Sequence, residues 1–318
     1  MLFARQVTPV GTASVGWSPI PSGRLAFGRT MHFAGSIAVL MAAASGAPLD
    51  TPMIVMVTCA AILLFGLPHG TFDLALIRQA HADRRTFGVV ALYLGCAATM
   101  YVVWRVAPAW ALVVFFGLSI VHFAEDWADN LPPFFAHGTS TALLTAPVLL
   151  HHDAIAALFA ILVGDRSSTL FAATAVLVAP VSLAIACAAI IALWSDGHRS
   201  DATATAFALI AMIFLPPLVG FALYFCLVHS PAQFAAAQRA LDWLRIAQWA
   251  PVTVPLTCAA LGIAALIFAT VPTFTVTEAM IVTAFMTLSI LTLPHLAVPV
   301  IVSHFAALPL KYRIGDKS

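Results

Sequence analysis

The chain has 318 residues, of which 62% are hydrophobic and 8% charged, and its formal net charge is +1. A soluble domain carries roughly 25% charged residues, so this composition excludes a water-soluble globule and specifies an all-α, polytopic transmembrane bundle. A charge so close to zero leaves no basic field to displace counterions, which excludes nucleic acid as a partner.

In chain order, residues 1–30 carry Arg5, Arg24 and Arg29 among Gly, Pro and Ser, without a compact apolar run of signal-peptide type. They are expected to form a cytoplasmic tail. A spanning helix needs about 20 apolar residues, which predicts eight spans at 31–49, 51–77, 87–106, 109–124, 168–194, 202–229, 250–271 and 276–302. Segment 137–163 is also apolar but is broken by Pro147 and by His151-His152-Asp153. The expected organisation is therefore one membrane domain over 31–305, with a short cytoplasmic tail at 306–318. Five cysteines stand singly in apolar segments and read as small buried hydrophobes rather than a disulfide or thiolate framework.

Basic residues set the orientation. Arg5, Arg24 and Arg29, then Arg78, Arg84 and Arg85, place the N-terminus and the second loop in the cytoplasm. Arg239, Arg245, Lys311, Arg313 and Lys317 join them if 137–163 makes no net crossing, as a broken hairpin would. That topology is the preferred expectation. It also gathers His69, His122, His229 and His295 at one depth, each late in a span running toward the cytoplasm.

Ionisable groups at that depth are costly, about 2.5–3.5 kcal/mol each at the bilayer centre, and are functional candidates. Gly66-Leu67-Pro68-His69-Gly70-Thr71-Phe72-Asp73 sets a histidine four positions before an aspartate, one helical turn apart. The flanking Pro68 and Gly70 can loosen the local helix. Ser119 to Asp126 repeats the spacing with His122 and Asp126. Tyr224 to Pro231 holds His229, and Leu293-Pro294-His295 is the fourth motif. Each aspartate could accept a ring N–H and orient a metal-bound imidazole. Imidazole suits Fe, Zn, Cu and Ni, and spacing alone does not separate iron from zinc. A lone intramembrane histidine is more often a packing residue; four at one depth favour a shared site. Glu125 and Asp129 read as a solvated helix end, and His151-His152-Asp153 as an interfacial loop. His81, His137 and His198 read as solvent-facing, and His304 is open to either assignment.

These motifs resemble those of the Brp/Blh family of integral-membrane β-carotene 15,15′-dioxygenases. Gly66 to Asp73 looks like the family's PHGxxD motif, Ser119 to Asp126 is similar to its second histidine motif, Tyr224 to Ser230 to its aromatic HS motif, and Leu293 to His295 to its late PH motif. The resemblance implies an Fe(II) enzyme in a bacterial-type inner membrane. It would use O2 to split β-carotene drawn from the lipid bilayer into two retinal molecules. It implies His69, His122 and His229 as iron ligands, with His295 as a fourth or the metal held by three. Asp73 and Asp126 would orient them, and Tyr224 would be a pocket wall or hydrogen-bond donor. One departure stands out: Gln233 occupies the place of a second histidine in the third motif. A non-catalytic carotenoid- or retinal-binding protein and a proton-coupled carrier built on His/Asp pairs are the alternatives. A membrane desaturase is disfavoured, because no HxxxH box occurs.

Overall fold

The computed structural model describes residues 22–80, 86–243, 245–272 and 275–307, with side-chain detail for all of these except 22–32, 69, 77–80, 86 and 299–307. The predicted tails at 1–30 and 306–318 fall largely outside the described residues, although the first helix already begins at Ser22. Thirteen α-helices follow among the described residues, and no strand. They are α1 (Ser22–Ala44), α2 (Pro52–Ala61), α3 (Asp73–Ala80), α4 (Thr86–Val106), α5 (Pro108–Ala124), α6 (Pro133–Thr145), α7 (Val148–Val163), α8 (Asp165–Ser195), α9 (Arg199–Phe214), α10 (Pro217–Tyr224), α11 (Ser230–Ala240), α12 (Ile246–Thr270) and α13 (Val276–Ala307). Proline opens α2, α5, α6 and α10. Its missing N–H costs nothing there, because first-turn donors have no helical partner.

Seven stretches are long and apolar enough to cross a membrane: Pro52–Leu76, Phe87–Val106, Pro108–Trp127, Asp165–Ser195, Pro217–Ala240, Ile246–Thr270 and Val276–Val298. The pair α6–α7 is apolar too, but bent by 65°. The expected polytopic all-α bundle is thus what the chain forms. α13 lies at its centre, packed against α2, α4, α5 and α12.

Side-chain contacts fix the direction of each helix and correct two expected spans. Trp127, at the end of α5, donates from Nε1 to Thr205 Oγ1 at 2.8 Å, and Asn130 donates to Asp201 at 3.1 Å. α9 therefore starts beside the end of α5. It finishes at the opposite end, where Ala211 and Leu215 pack with Val39, Leu40, Ala43, Leu49 and Ile54. The chain then turns at Leu215-Pro216, and α10–α11 runs back. Segment 202–229, expected as one span, is divided between two helices that run in opposite directions along the bundle. The first, α9, opens on Arg199-Ser200-Asp201 and alternates Ala with Thr, and it is not among the seven stretches long and apolar enough to cross.

The second correction concerns 137–163, expected to make no net crossing. Phe171 near the start of α8 meets Phe159 of α7, while Ile185 further along meets Gly138 of α6. α6–α7 and α8 therefore run oppositely, and the bent pair runs along the bundle once rather than folding back as a hairpin. The two errors cancel in parity. His122, His229 and His295 consequently still meet at one end of the bundle, three of the four histidines that were expected there.

Candidate metal centre and apolar cavity

Local departures from α-helix place the histidine motifs. Between α2 and α3 the chain passes through a π-helical turn, Ile62–Gly66, then a 3₁₀ segment, Leu67–Phe72, around Pro68. Between α10 and α11 lies a second π-turn, Phe225–His229. Such turns displace carbonyls from the helical ladder and recur at functional sites. Here neighbours collect the displaced groups: the Ser230 hydroxyl donates to Phe65 O at 2.7 Å, and the Cys226 thiol reaches Ala61 O at 3.5 Å. Gly66 makes this close approach possible, since a Cβ there would overlap the Phe225 ring.

His122, His229 and His295, from three separate helices, come together. The His122 and His229 rings stand nearly perpendicular with centroids 4.7 Å apart, and their Nε2 atoms are 3.1 Å apart. His295 lies edge-on to His122 at 4.8 Å. The His69 side chain lies outside the described residues; its backbone sits in the 3₁₀ segment.

The carboxylates do not serve the histidines that the sequence suggested. Asp73 was expected to orient His69, and Asp126 to orient His122. Instead Asp73 receives His295 Nδ1 at 2.7–2.8 Å, and Asp126 receives His229 Nδ1 at 3.0–3.1 Å. His122 Nδ1 faces Glu125 Oε2 at 3.1 Å, so Glu125 is more than a solvated helix end, although it is half exposed. The i,i+4 argument assumed unbroken α-helix, and both aspartates follow or lie within 3₁₀ turns, Leu67–Phe72 and Glu125–Trp127. The aspartates also take hydroxyl donors: Tyr224 gives its O–H to Asp126 at 2.7 Å, and Tyr93 to Asp73 at 3.3 Å. Gln233 donates from Nε2 to Asp126 at 3.1 Å, so its amide braces the carboxylate.

Sequence reasoning missed Tyr93 and the Glu125 contact. Tyr93 sits in an otherwise unremarkable apolar helix, and only folding brings it to Asp73. His137 and His198 are exposed as expected, whereas His152 and Asp153 lie within α7 rather than in a loop. His81 and the side chain of His304 lie outside the described residues.

The donor set fits a cation. A carboxylate beside each Nδ1 holds the ring proton there, which leaves Nε2 as a lone pair. The Nε2 atoms of His122 and His229 stand 3.1 Å apart, where one cation could take both. Among the described residues the ion-pair partners of the side chains of Asp73 and Asp126, both 7% exposed, are histidines. Buried carboxylates without Lys or Arg need positive charge nearby. Among the described residues, however, no three His, Cys, Asp or Glu side chains form a ready ligand group. The defined element is the His122–His229 pair.

Beside the histidines lies a cavity of about 250 Å3. His122, His295, Asp73 and Tyr93 line one part of it; the remainder is almost wholly aliphatic and aromatic. Leu94 of α4 and Leu256 and Ile263 of α12 line it while also being exposed on the outer surface. The cavity therefore opens sideways between α4 and α12, toward the membrane.

A family model described as Beta-carotene 15,15'-dioxygenase matches residues 60–302. A relative named Beta-carotene 15,15'-dioxygenase, from an uncultured marine bacterium, 66A03, is 30% identical over 197 residues, covering 58% of this chain and 69% of the relative. No solved structure matches.

Proposed function

This chain belongs to the beta-carotene 15,15′-dioxygenase family, and from that premise we propose that it cleaves β-carotene at the central 15,15′ double bond with O2, giving two retinal molecules, at an Fe(II) held by the converging histidines. The observation that carries the reading is the His122–His229 pair, its Nε2 atoms 3.1 Å apart and each Nδ1 on a carboxylate, beside a cavity open to the bilayer. His122 and His229 would hold the metal through Nε2, with His295 and His69 completing the set. When bound, Fe(II) supplies the redox chemistry that activates O2.

The protein's own groups have a narrower task. One C=C bond and one O2 become two C=O groups, each keeping one oxygen atom. The overall reaction balances without a proton. The carboxylates are accordingly orienting groups: Asp126 fixes His229, Asp73 fixes His295 and Glu125 fixes His122. Phe115, Phe123, Phe221 and Phe225 wall the site against water, which protects reactive species from side reactions. A substrate dissolved in lipid enters between α4 and α12 without an aqueous step. Both ends of the described chain lie at the histidine end of the bundle, and the arginine bias assigns that end to the cytoplasm of a bacterial-type inner membrane.

The test pairs metal analysis of the purified protein with product analysis from β-carotene. Iron together with retinal is expected. His122→Ala and His229→Ala should lose both while remaining membrane-inserted. Undiminished retinal from either variant would overturn the reading; pigment binding without turnover in the wild type would favour a non-catalytic carotenoid-binding protein.

A further inference from the structure

A second cavity, about 60 Å3, lies across a thin wall from the first. The two share Phe115, Ser119 and Phe221. Ser119 stands one helical turn before His122, so the wall adjoins the candidate metal centre. The main cavity extends from this wall toward α4, α12 and α13, and the second extends the other way, toward α7, α9 and the start of α10. Ser119 apart, its lining is apolar, including Leu158, Phe159, Met212 and Leu218.

The space has an architectural cause. α6 and α7 bend by 65° around Pro147, with His151 at non-helical φ/ψ just beyond, and the space lies between this bent pair and Phe115 and Phe116, where the Phe159 ring meets Phe116 edge-on at 5.9 Å. Close-packed interiors rarely keep voids larger than a water. An apolar void stays dry and accepts apolar ligands. The wall is also tied to the histidines, because Phe221 stacks on Phe225 at 5.2 Å and Phe225 on His229 at 5.6 Å.

We propose that the second cavity receives the end of one arm of the elongated polyene and, by its depth, selects which double bond reaches the histidines. This rests on the polyene-cleavage reading above. A substrate cut at its middle must extend both ways from the metal. The main cavity, open between α4 and α12, takes one arm; the second cavity is the continuation past His122 on the opposite side. The side chains of α7 and α9 that line it form the stop. At about 60 Å3 it holds only the arm's tip, with Phe221 turning aside to join the two spaces.

Leu158→Phe and Met212→Phe would make the stop shallower. With β-carotene, and with metal content equal to wild type, symmetric cleavage should fall about tenfold, in the range one or two methylenes command in an apolar pocket. Unequal aldehyde pairs should appear in its place. Metal-free Leu158→Phe protein should bind β-carotene about tenfold more weakly, followed by the pigment's visible absorption. Symmetric product alone, at wild-type rate and affinity, would overturn the proposal. Should the enlarged residues prevent folding, Leu158→Ala and Met212→Ala test the same stop from the other side. They should increase relative use of a polyene with bulkier end rings, and an unchanged preference would overturn it. Failure of the underlying reading looks different, since the wild type would then release no aldehyde.

Discussion

Asp126 and Asp73 each receive a histidine Nδ1 and a tyrosine hydroxyl, in two settings that differ chiefly in access. Around Asp126 the group is sealed: His229 is fully buried, Tyr224 is 1% exposed, and Gln233 supplies a third donor. None of these side chains lines the cavity. Around Asp73 the contacts are fewer, Tyr93 is a longer 3.3 Å away, and Asp73, Tyr93 and His295 all line the cavity. The sealed node sets where a histidine stands; the open node also forms part of the surface that meets substrate. The difference follows from position, with Asp126 enclosed between α5 and α10–α11 and Asp73 at the break before α3, facing α4 and α13.

Removing a carboxylate should therefore have unequal consequences. Asp126→Ala strands His229, Tyr224 and Gln233 in a dry interior, and breaking a buried pair costs about 3–5 kcal/mol. Thermal unfolding in detergent should show that loss, together with lost metal. Asp73→Asn keeps the volume and the Tyr93 contact but weakens the hold on His295. Metal affinity should fall about 10–100-fold, as for other orienting partners, with a much smaller change in melting temperature. If the two variants melted alike, the contrast between a sealed and an open node would be wrong.

The tyrosines sharpen the same comparison on a smaller scale. Tyr224→Phe removes a 2.7 Å bond to a buried carboxylate, where hydrogen bonds to charged groups contribute about 1.5–3 kcal/mol. Its effect should register mainly in stability. Tyr93→Phe removes the longer bond at the cavity wall and should change KM for β-carotene more than it changes melting. Smallest of all should be Gln233→Leu, which takes one of three donors from Asp126. A drop in retinal yield of less than about tenfold is expected, because His229 and Tyr224 still hold the carboxylate. Abolished metal binding in that variant would instead make Gln233 part of the ligand set.

The 3₁₀ turns explain why the aspartate pairings could not be read in advance. His69/Asp73 and His122/Asp126 share a spacing that an unbroken helix would place on one face. Each aspartate is instead redirected by the 3₁₀ turn beside it to a histidine more than 100 residues away in sequence, 222 for Asp73 and 103 for Asp126. The four motifs themselves were legible, because buried polar residues stand out against apolar spans.

Sequence by itself determined the membrane environment and the all-α class, and it marked His122, His229 and His295 as side chains that meet, since each follows from the energetics of placing polar groups in hydrocarbon. It also determined the family, through four short motifs in order. Tertiary structure alone decided that 202–229 runs along the bundle twice and 137–163 once, because those choices depend on where α9 and α7 find partners. It alone decided which carboxylate orients which histidine, and it alone opened a second cavity beyond Ser119. Hydropathy records the depth at which a residue can sit; only packing records what it faces.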